Sequence, residues 1–226
     1  MSFDINFEML KLALLSLEEL SDEVVFVGGA TTCLYVDPKI AEEIRPTEDV
    51  DCVVEVVNRS QFDKFQKKLR EKGFTHDTSE GAPICRFKYG EKLSLDVMPS
   101  DSQILGFSNI WYKEGILNKE MKNIEGKIIY IFSLPYFLAS KFEAFNGRGK
   151  SDPRLSWDLE DIILTLDGIK DFSLPILSKK LEKYLSEMAD LCLNEQIQEA
   201  ISGFLNHNTA KIEKINKRIK LLQKNK

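Results

Sequence analysis

In RPTEDVDCVVEV, residues 45–56, two aspartates stand at the mouth of a run of valines. On a strand, alternate side chains share a face. Val50, Cys52, Val54 and Val56 then form one wholly apolar set that belongs in a core, while Asp49, Asp51, Val53 and Glu55 form the other. At a rise of about 3.3 Å per residue, the two aspartates would stand about 6–7 Å apart. Carboxylates that close repel, and each raises the other's pKa unless a cation lies between them. A pair of divalent cations about 3.5–4 Å apart suits such an arrangement. The plain alternative is an exposed strand face whose aspartates meet only water.

A third acid shifts the balance. In KLSLDVMPSD, residues 92–101, Asp96 is embedded in another strand-like run, with Ser94 on its own face and Leu93, Leu95 and Val97 on the other. If this strand lies beside the first, three carboxylates converge on one end of a sheet. Such a triad can bind metal and take a proton from a hydroxyl.

The elements around these runs define the fold. Residues 7–20 carry apolar side chains at helical spacing, VVFVGG (24–29) reads as a buried strand ending in two glycines, and ATTCLYV (30–36) as a helix. SQFDKFQKKLREKGF is an amphipathic helix with Ser60 placed to cap it and Gly73 to end it. PICRFKYG, KLSLDVMPS and KIIYIF bring the strands to about five, with a turn at Gly90–Glu91 joining two of them. From Ser133 onward only helices are expected. SLPYFLASKFEAF comes first, then a polar break at NGRGKSDPR. SWDLEDIILTLDG follows with Ser156 as N-cap, and three further stretches lie near 175–191, 194–205 and 208–223. The expected plan is α+β: a mixed-sheet core with flanking helices over 1–132, followed by a helical domain over 133–226.

Composition narrows the function classes. With 43% hydrophobic residues in 226, the chain has ample material for a core. No apolar run approaches the roughly 20 residues of a membrane span. MSFDINFEML carries acids where a secretory signal would be basic. The four cysteines (Cys33, Cys52, Cys85, Cys192) lack CxxC spacing, and only two histidines exist, His76 and His207. A zinc site is therefore not expected, and the cysteines read as reduced, mostly buried thiols of a cytoplasmic protein. Any metal should be a hard cation held by carboxylates. The net charge of −5 argues against a surface made for duplex nucleic acid. Basic charge is concentrated in KIEKINKRIKLLQKNK (211–226), where Ile212, Ile215, Ile219 and Leu222 recur at helical spacing. That segment reads either as an RNA-phosphate contact or as a packed helix with a basic outer face.

Strand, Gly-Gly, helix start, then R-x-T-x-D-x-D on the next strand and a single Asp on a later one is an ordered set. It resembles the nucleotidyltransferase superfamily that includes DNA polymerase β, and within it most closely the AbiEii/AbiGii-type toxin family. The residues carrying the resemblance are Gly28, Gly29, Arg45, Thr47, Asp49, Asp51 and Asp96, over a region from about 24 to 167. The gap between the glycines and the first aspartate is longer than the superfamily's usual one, which points to the toxin-like branch. Lys141 matches that family's lysine on a helix after the third acid, and Asp158 its Asp-rich helix start.

The spacing puts Lys141 and Arg148 on one helix face, and Asp158 and Asp161 together on the next. Their plain readings are a solvated face and ordinary first-turn acids. The resemblance implies transfer of an NMP from an NTP to a hydroxyl with release of pyrophosphate. Mg²⁺ or Mn²⁺ would sit on Asp49, Asp51 and Asp96. The triphosphate would lie on Gly28, Gly29 and Thr31, with Arg45 or Lys141 balancing its charge. The acceptor would be RNA, such as a tRNA 3′ end, with the protein as the toxin of a toxin–antitoxin pair. A protein side chain, a small-molecule hydroxyl such as that of an antibiotic, or a non-catalytic nucleotide-binding module remain the alternatives.

Overall fold

The computed structural model describes residues 2–38, 44–150 and 152–223. The chain divides into two compact units: Met1–Leu34 with Arg45–Ser133, and Tyr35–Ile44 with Leu134–Lys226. The described residues 35–38 and 44 group with the helices of the second unit.

The first unit is built on a seven-stranded mixed sheet. Its strands are β1 (Val24–Val27), β2 (Val50–Val54), β3 (Thr75–His76), β4 (Arg86–Tyr89), β5 (Leu93–Pro99), β6 (Lys119–Ile124) and β7 (Lys127–Phe132), in the order β3-β4-β5-β2-β1-β7-β6. β1 runs antiparallel to β2 and parallel to β7, and β2 runs parallel to β5. Val50, Cys52, Val54 and Val56 are all buried, as their alternation predicts. Val53, on the other face, is also buried, so the strand interior is covered on both sides. β3 and β6 are absent from the sequence reading for physical reasons. β3 is two exposed residues long, and β6, KEMKNI, is a charged edge strand of the kind that discourages pairing with other chains.

Helix α1 (Ser2–Leu17) packs on β2 and β5 through a side that buries Leu10, Ala13, Leu14 and Leu17. The amphipathic helix α2 spans Arg59–Glu71, and its cap is Asn58, not Ser60: the Asn58 side chain accepts from the Gln61 amide. Asn58 is extended (φ −160°) and Ser60 already lies inside the helix, so Asn58 holds the capping geometry. ATTCLYV does not form an α-helix. Gly29–Leu34 is a 3₁₀ turn with Gly29 through Cys33 buried. Two short helices, α3 (Ser102–Leu105) and α4 (Tyr112–Leu117), precede the β6–β7 hairpin.

The second unit holds α5 (Leu134–Ala144), a π turn over Phe145–Gly149, a 3₁₀ turn at Pro153–Leu155, then α6 (Trp157–Gly168), α7 (Lys179–Cys192), α8 (Glu195–Phe204) and α9 (Thr209–Leu222). Ser156 caps α6 as expected, accepting from the Leu159 amide. The segment 35–38 closes on the end of α6: the Asp37 amide donates to the Gly168 carbonyl at 2.9 Å, and Val36 packs so closely that a Cβ on Gly168 would lie 2.5 Å from its Cγ1. All four cysteines are free and buried, and burial pushes the thiols of Cys33, Cys85 and Cys192 up to about 12. Among the described residues, no helix is long and apolar enough to cross a membrane.

The basic helix α9 is a packed element. Ile215, Ile219 and Leu222 are buried, and its inward cations meet the C-terminal end of α6. That end presents carbonyls without helical partners and a partial negative charge. Arg218 donates to the carbonyls of Leu166, of Asp167 at 3.2 Å and of Ile169 at 2.8 Å. Lys214 donates to the Asp167 carbonyl at 2.8 Å and pairs with its buried carboxylate, which Lys211 also approaches at 3.4 Å. Arg218→Ala should therefore lower the unfolding free energy by about 2–4 kcal/mol, because it strands buried carbonyls. The exposed Lys217→Ala should shift it by less than about 0.5 kcal/mol. Urea melts of the two variants test this; equal effects would mean that the Arg218 contacts carry no stability.

Candidate functional site

The lip of the sheet is assembled by register. β1 ends at Val27, which lies opposite Asp51 across the antiparallel pair. On its other side, β2 meets β5 so that Asp51 is the direct partner of Asp96. Gly28 follows with φ +77°, and a Cβ there would fall 1.9 Å from Asp51 Oδ2. Only glycine serves at this point, both for its backbone and for the carboxylate that rests on it. Thr31 closes the turn. It is fully buried, with its hydroxyl donating to the Gly28 carbonyl at 2.9 Å and its amide to the same oxygen at 3.3 Å. Gly29, also buried, opens the 3₁₀ turn.

The approach to β2 is held from α1. Asn6, with no exposed surface, donates to the Arg45 carbonyl at 3.0 Å and accepts from the Thr47 amide at 2.9 Å. Thr47 in turn donates its hydroxyl to the Asp49 carbonyl at 3.0 Å. The Arg45 guanidinium donates to the Pro46 carbonyl at 3.3 Å. Asn6 was not among the residues nominated from sequence, because its partners lie about forty positions away.

Arg86 was also missed, and it stands at the centre of the carboxylates. On β4 it is the cross-strand partner of Asp96. Its guanidinium grips that carboxylate with both prongs, Nε to Oδ1 at 2.7 Å and Nη2 to Oδ2 at 2.8 Å, and Nη2 also donates to Asp49 Oδ2. Hydrogen bonding to Asp96 raises the Arg86 pKa further, against the opposing effect of burial. A signal for it existed. The Gly90–Glu91 turn, by setting Tyr89 opposite Leu93, also sets residue 86 opposite 96.

Asp49, Asp51 and Asp96 are hard oxygen donors of the type that hold Mg²⁺ or Mn²⁺, and Arg86 shows that two of them already accept a cation. In this arrangement the guanidinium occupies those two. Among the described residues, no three acidic, histidine or cysteine side chains converge on a single ion position.

The remaining nominated residues belong to the helical unit. Lys141 on α5 is buried, with Nζ 2.6 Å from Asp161 and 3.3 Å from Asp158. Arg148, on the π turn, forks onto Asp158 at 2.8 and 3.0 Å. Burial pushes the Asp158 pKa up, but the Arg148 hydrogen bond and the Lys141 charge outweigh it and hold the carboxyl below its ordinary value. Lys141 is thus no solvated face residue, and Asp158 and Asp161, both almost fully buried, are no ordinary first-turn acids. Next to this cluster a cavity of about 220 Å³ is lined by Arg148, Gly149, Asp152, Leu155, Trp157 and Asp158. Trp157 is 65% exposed there.

No protein-family model matches the chain, and no curated protein sequence matches it. Among solved structures, the chain is similar to an antigenic nucleotidyltransferase-like protein from Paracoccidioides brasiliensis. The two share 21% sequence identity with a TM-score of 0.59, over 92% of this chain and 99% of that one. At that identity the likeness is one of fold. It agrees with the mixed sheet, while the nucleotidyltransferase superfamily and its toxin-type branch rest on the sequence resemblance.

Proposed function

We propose that the protein is a metal-dependent nucleotidyltransferase that moves an NMP from an NTP to an acceptor hydroxyl and releases pyrophosphate. The observation that carries this reading is the pairing of Asp51 with Asp96 on adjacent parallel strands, beside the Gly28 turn and two residues along the chain from Asp49. Asp49, Asp51 and Asp96 would hold the divalent cation, Mg²⁺ or Mn²⁺. Such an ion supplies neutralisation of the triphosphate and activation of the acceptor hydroxyl. Gly28 lets the backbone approach the phosphates closely and keeps the Asp51 carboxylate in its place. Asn6 and Thr47 fix the backbone at Asp49. In the transfer, a bond forms between the acceptor oxygen and the α-phosphorus, and the bond from that phosphorus to the α–β bridging oxygen breaks, so that this oxygen leaves with the pyrophosphate. The hydroxyl proton passes to Asp96. Positioning and charge neutralisation supply most of the rate in such reactions.

The acceptor in this reading is an RNA hydroxyl, such as a tRNA 3′ end, in a toxin held in check by a cognate antitoxin. That choice rests on the resemblance to the AbiEii/AbiGii-type family. The α9 cations Lys211, Lys214 and Arg218 are engaged at the end of α6, so they lend it no support. A protein or small-molecule hydroxyl is the alternative acceptor.

Incubation with total RNA, total protein and each of the four NTPs labelled at the α-phosphate should transfer label to one acceptor class. Label arriving from the γ-phosphate instead would mean a kinase and sink the proposal. Asp51→Asn should cut transfer by about 100-fold or more, with the far-UV spectrum unchanged. Gly28→Ala should cost about as much transfer, because its Cβ must displace the Asp51 carboxylate, and lower stability by about 1–2 kcal/mol. A fully active Gly28→Ala protein would remove the glycine from the mechanism.

A further inference from the structure

Arg86 carries the inference that goes deepest, and it rests on the nucleotidyl-transfer reading of the same site. Three carboxylates on one lip repel one another unless a cation lies among them. In the structure the Arg86 guanidinium is such a cation, only partly exposed and held by Asp96 and Asp49 together. Its two holds are unequal. Asp96 is gripped through both prongs, at 2.7 and 2.8 Å, in the fork geometry that fixes orientation as well as charge, while Asp49 takes a single bond shared on Nη2. The partner strand reinforces the stronger hold, since Arg86 and Asp96 sit directly opposite each other in the β4–β5 pair.

We propose that Arg86 is a positioning residue and the resident counter-cation of the site: a divalent ion gains Asp49 by displacing the single Arg86 contact, while the fork on Asp96 persists and leaves the second lone pair of each Asp96 oxygen for the ion and for the acceptor proton. Asp49 is then the carboxylate that changes partner as the site loads. Asp51 rests on the Gly28 backbone, where the strand puts it. Two functions follow from one side chain. It neutralises the lip when no ion is bound, and it sets a threshold that an ion must exceed. An ion that arrives with a triphosphate brings further ligand oxygens and exceeds that threshold more readily than a bare ion.

The test uses Mn²⁺ alone as the probe, followed by its electron paramagnetic resonance, with no turnover. Wild-type protein should bind Mn²⁺ weakly. Arg86→Met should bind it about tenfold or more tightly, since loss of one charge-assisted contact to a competitor is worth at least that factor. Arg86→Lys, which keeps the charge but not the fork, should fall between the two. Equal or weaker binding by a folded Arg86→Met protein overturns the proposal, as does absence of binding to every form.

Should Arg86→Met fail to fold, the wild-type protein still answers. The Arg86 Nε–H resonance should survive Mg²⁺ addition while the Asp49 carboxyl carbon shifts, and an unmoved Asp49 carbon at saturating Mg²⁺ overturns it. The transfer assay separates the two claims. Asp51-dependent α-label transfer without the Arg86 effect defeats only this inference, whereas the Arg86 effect without transfer defeats only the nucleotidyl-transfer reading.

Discussion

The register between β2 and β5 is the constraint on which the site depends. These strands run parallel, and a parallel pair has no tight turn to set its alignment. The alignment is set by what each strand must bury. Val50, Cys52 and Val54 on one strand and Leu95 and Val97 on the other all lie in the core, and a slip of one residue would exchange core and lip on either strand. The aspartates gain their geometry from that penalty. Their own mutual repulsion would drive them apart, so the valine-rich core holds them against it, with Arg86 relieving the remaining charge.

The helical unit solves a related problem by the same means. Asp158, Asp161 and Asp167 are three acids nearly excluded from solvent on a single helix, each with a cation against it. A buried ion pair of this sort adds little net stability, because desolvation offsets attraction, but breaking one costs heavily. Such pairs specify arrangement. Lys141 ties α5 to α6, Arg148 ties the π turn to the start of α6, and Lys214 with Arg218 ties α9 to its end.

Much of this was legible in the sequence, and the illegible parts share a cause. The alternation of Val50, Cys52, Val54 and Val56 located the core strand, and the embedded Asp96 identified its neighbour, because both signals are local and periodic. Ser156 was readable as a cap for the same reason. The cap at Asn58 was misassigned by two positions, since two polar residues of similar capping power stand close together and only the backbone angle separates them. β6 was invisible because an edge strand with charges at Lys119, Glu120 and Lys122 lacks the apolar signature of an interior one. Arg86 and Asn6 went unseen because their meaning lies in partners brought near by folding. Arg86 acquires its role only once a hairpin register sets it opposite Asp96.

The fate of the cations bears directly on chemistry. In a chain of net charge −5, four of the described basic residues are engaged internally: Arg86 on Asp96 and Asp49, Lys141 on Asp161 and Asp158, Arg148 on Asp158, Lys214 on Asp167. A triphosphate carries several negative charges and cannot approach a lip of three carboxylates without positive charge in excess of theirs. In the proposed reaction that excess has two sources, incoming divalent ions and the release of cations already held. Backbone amides at the glycine turn add only partial charges. The demand for divalent cations in this reading therefore follows from the protein's own charge arrangement, and the Asp49–Arg86 contact is the point at which that arrangement yields at least cost.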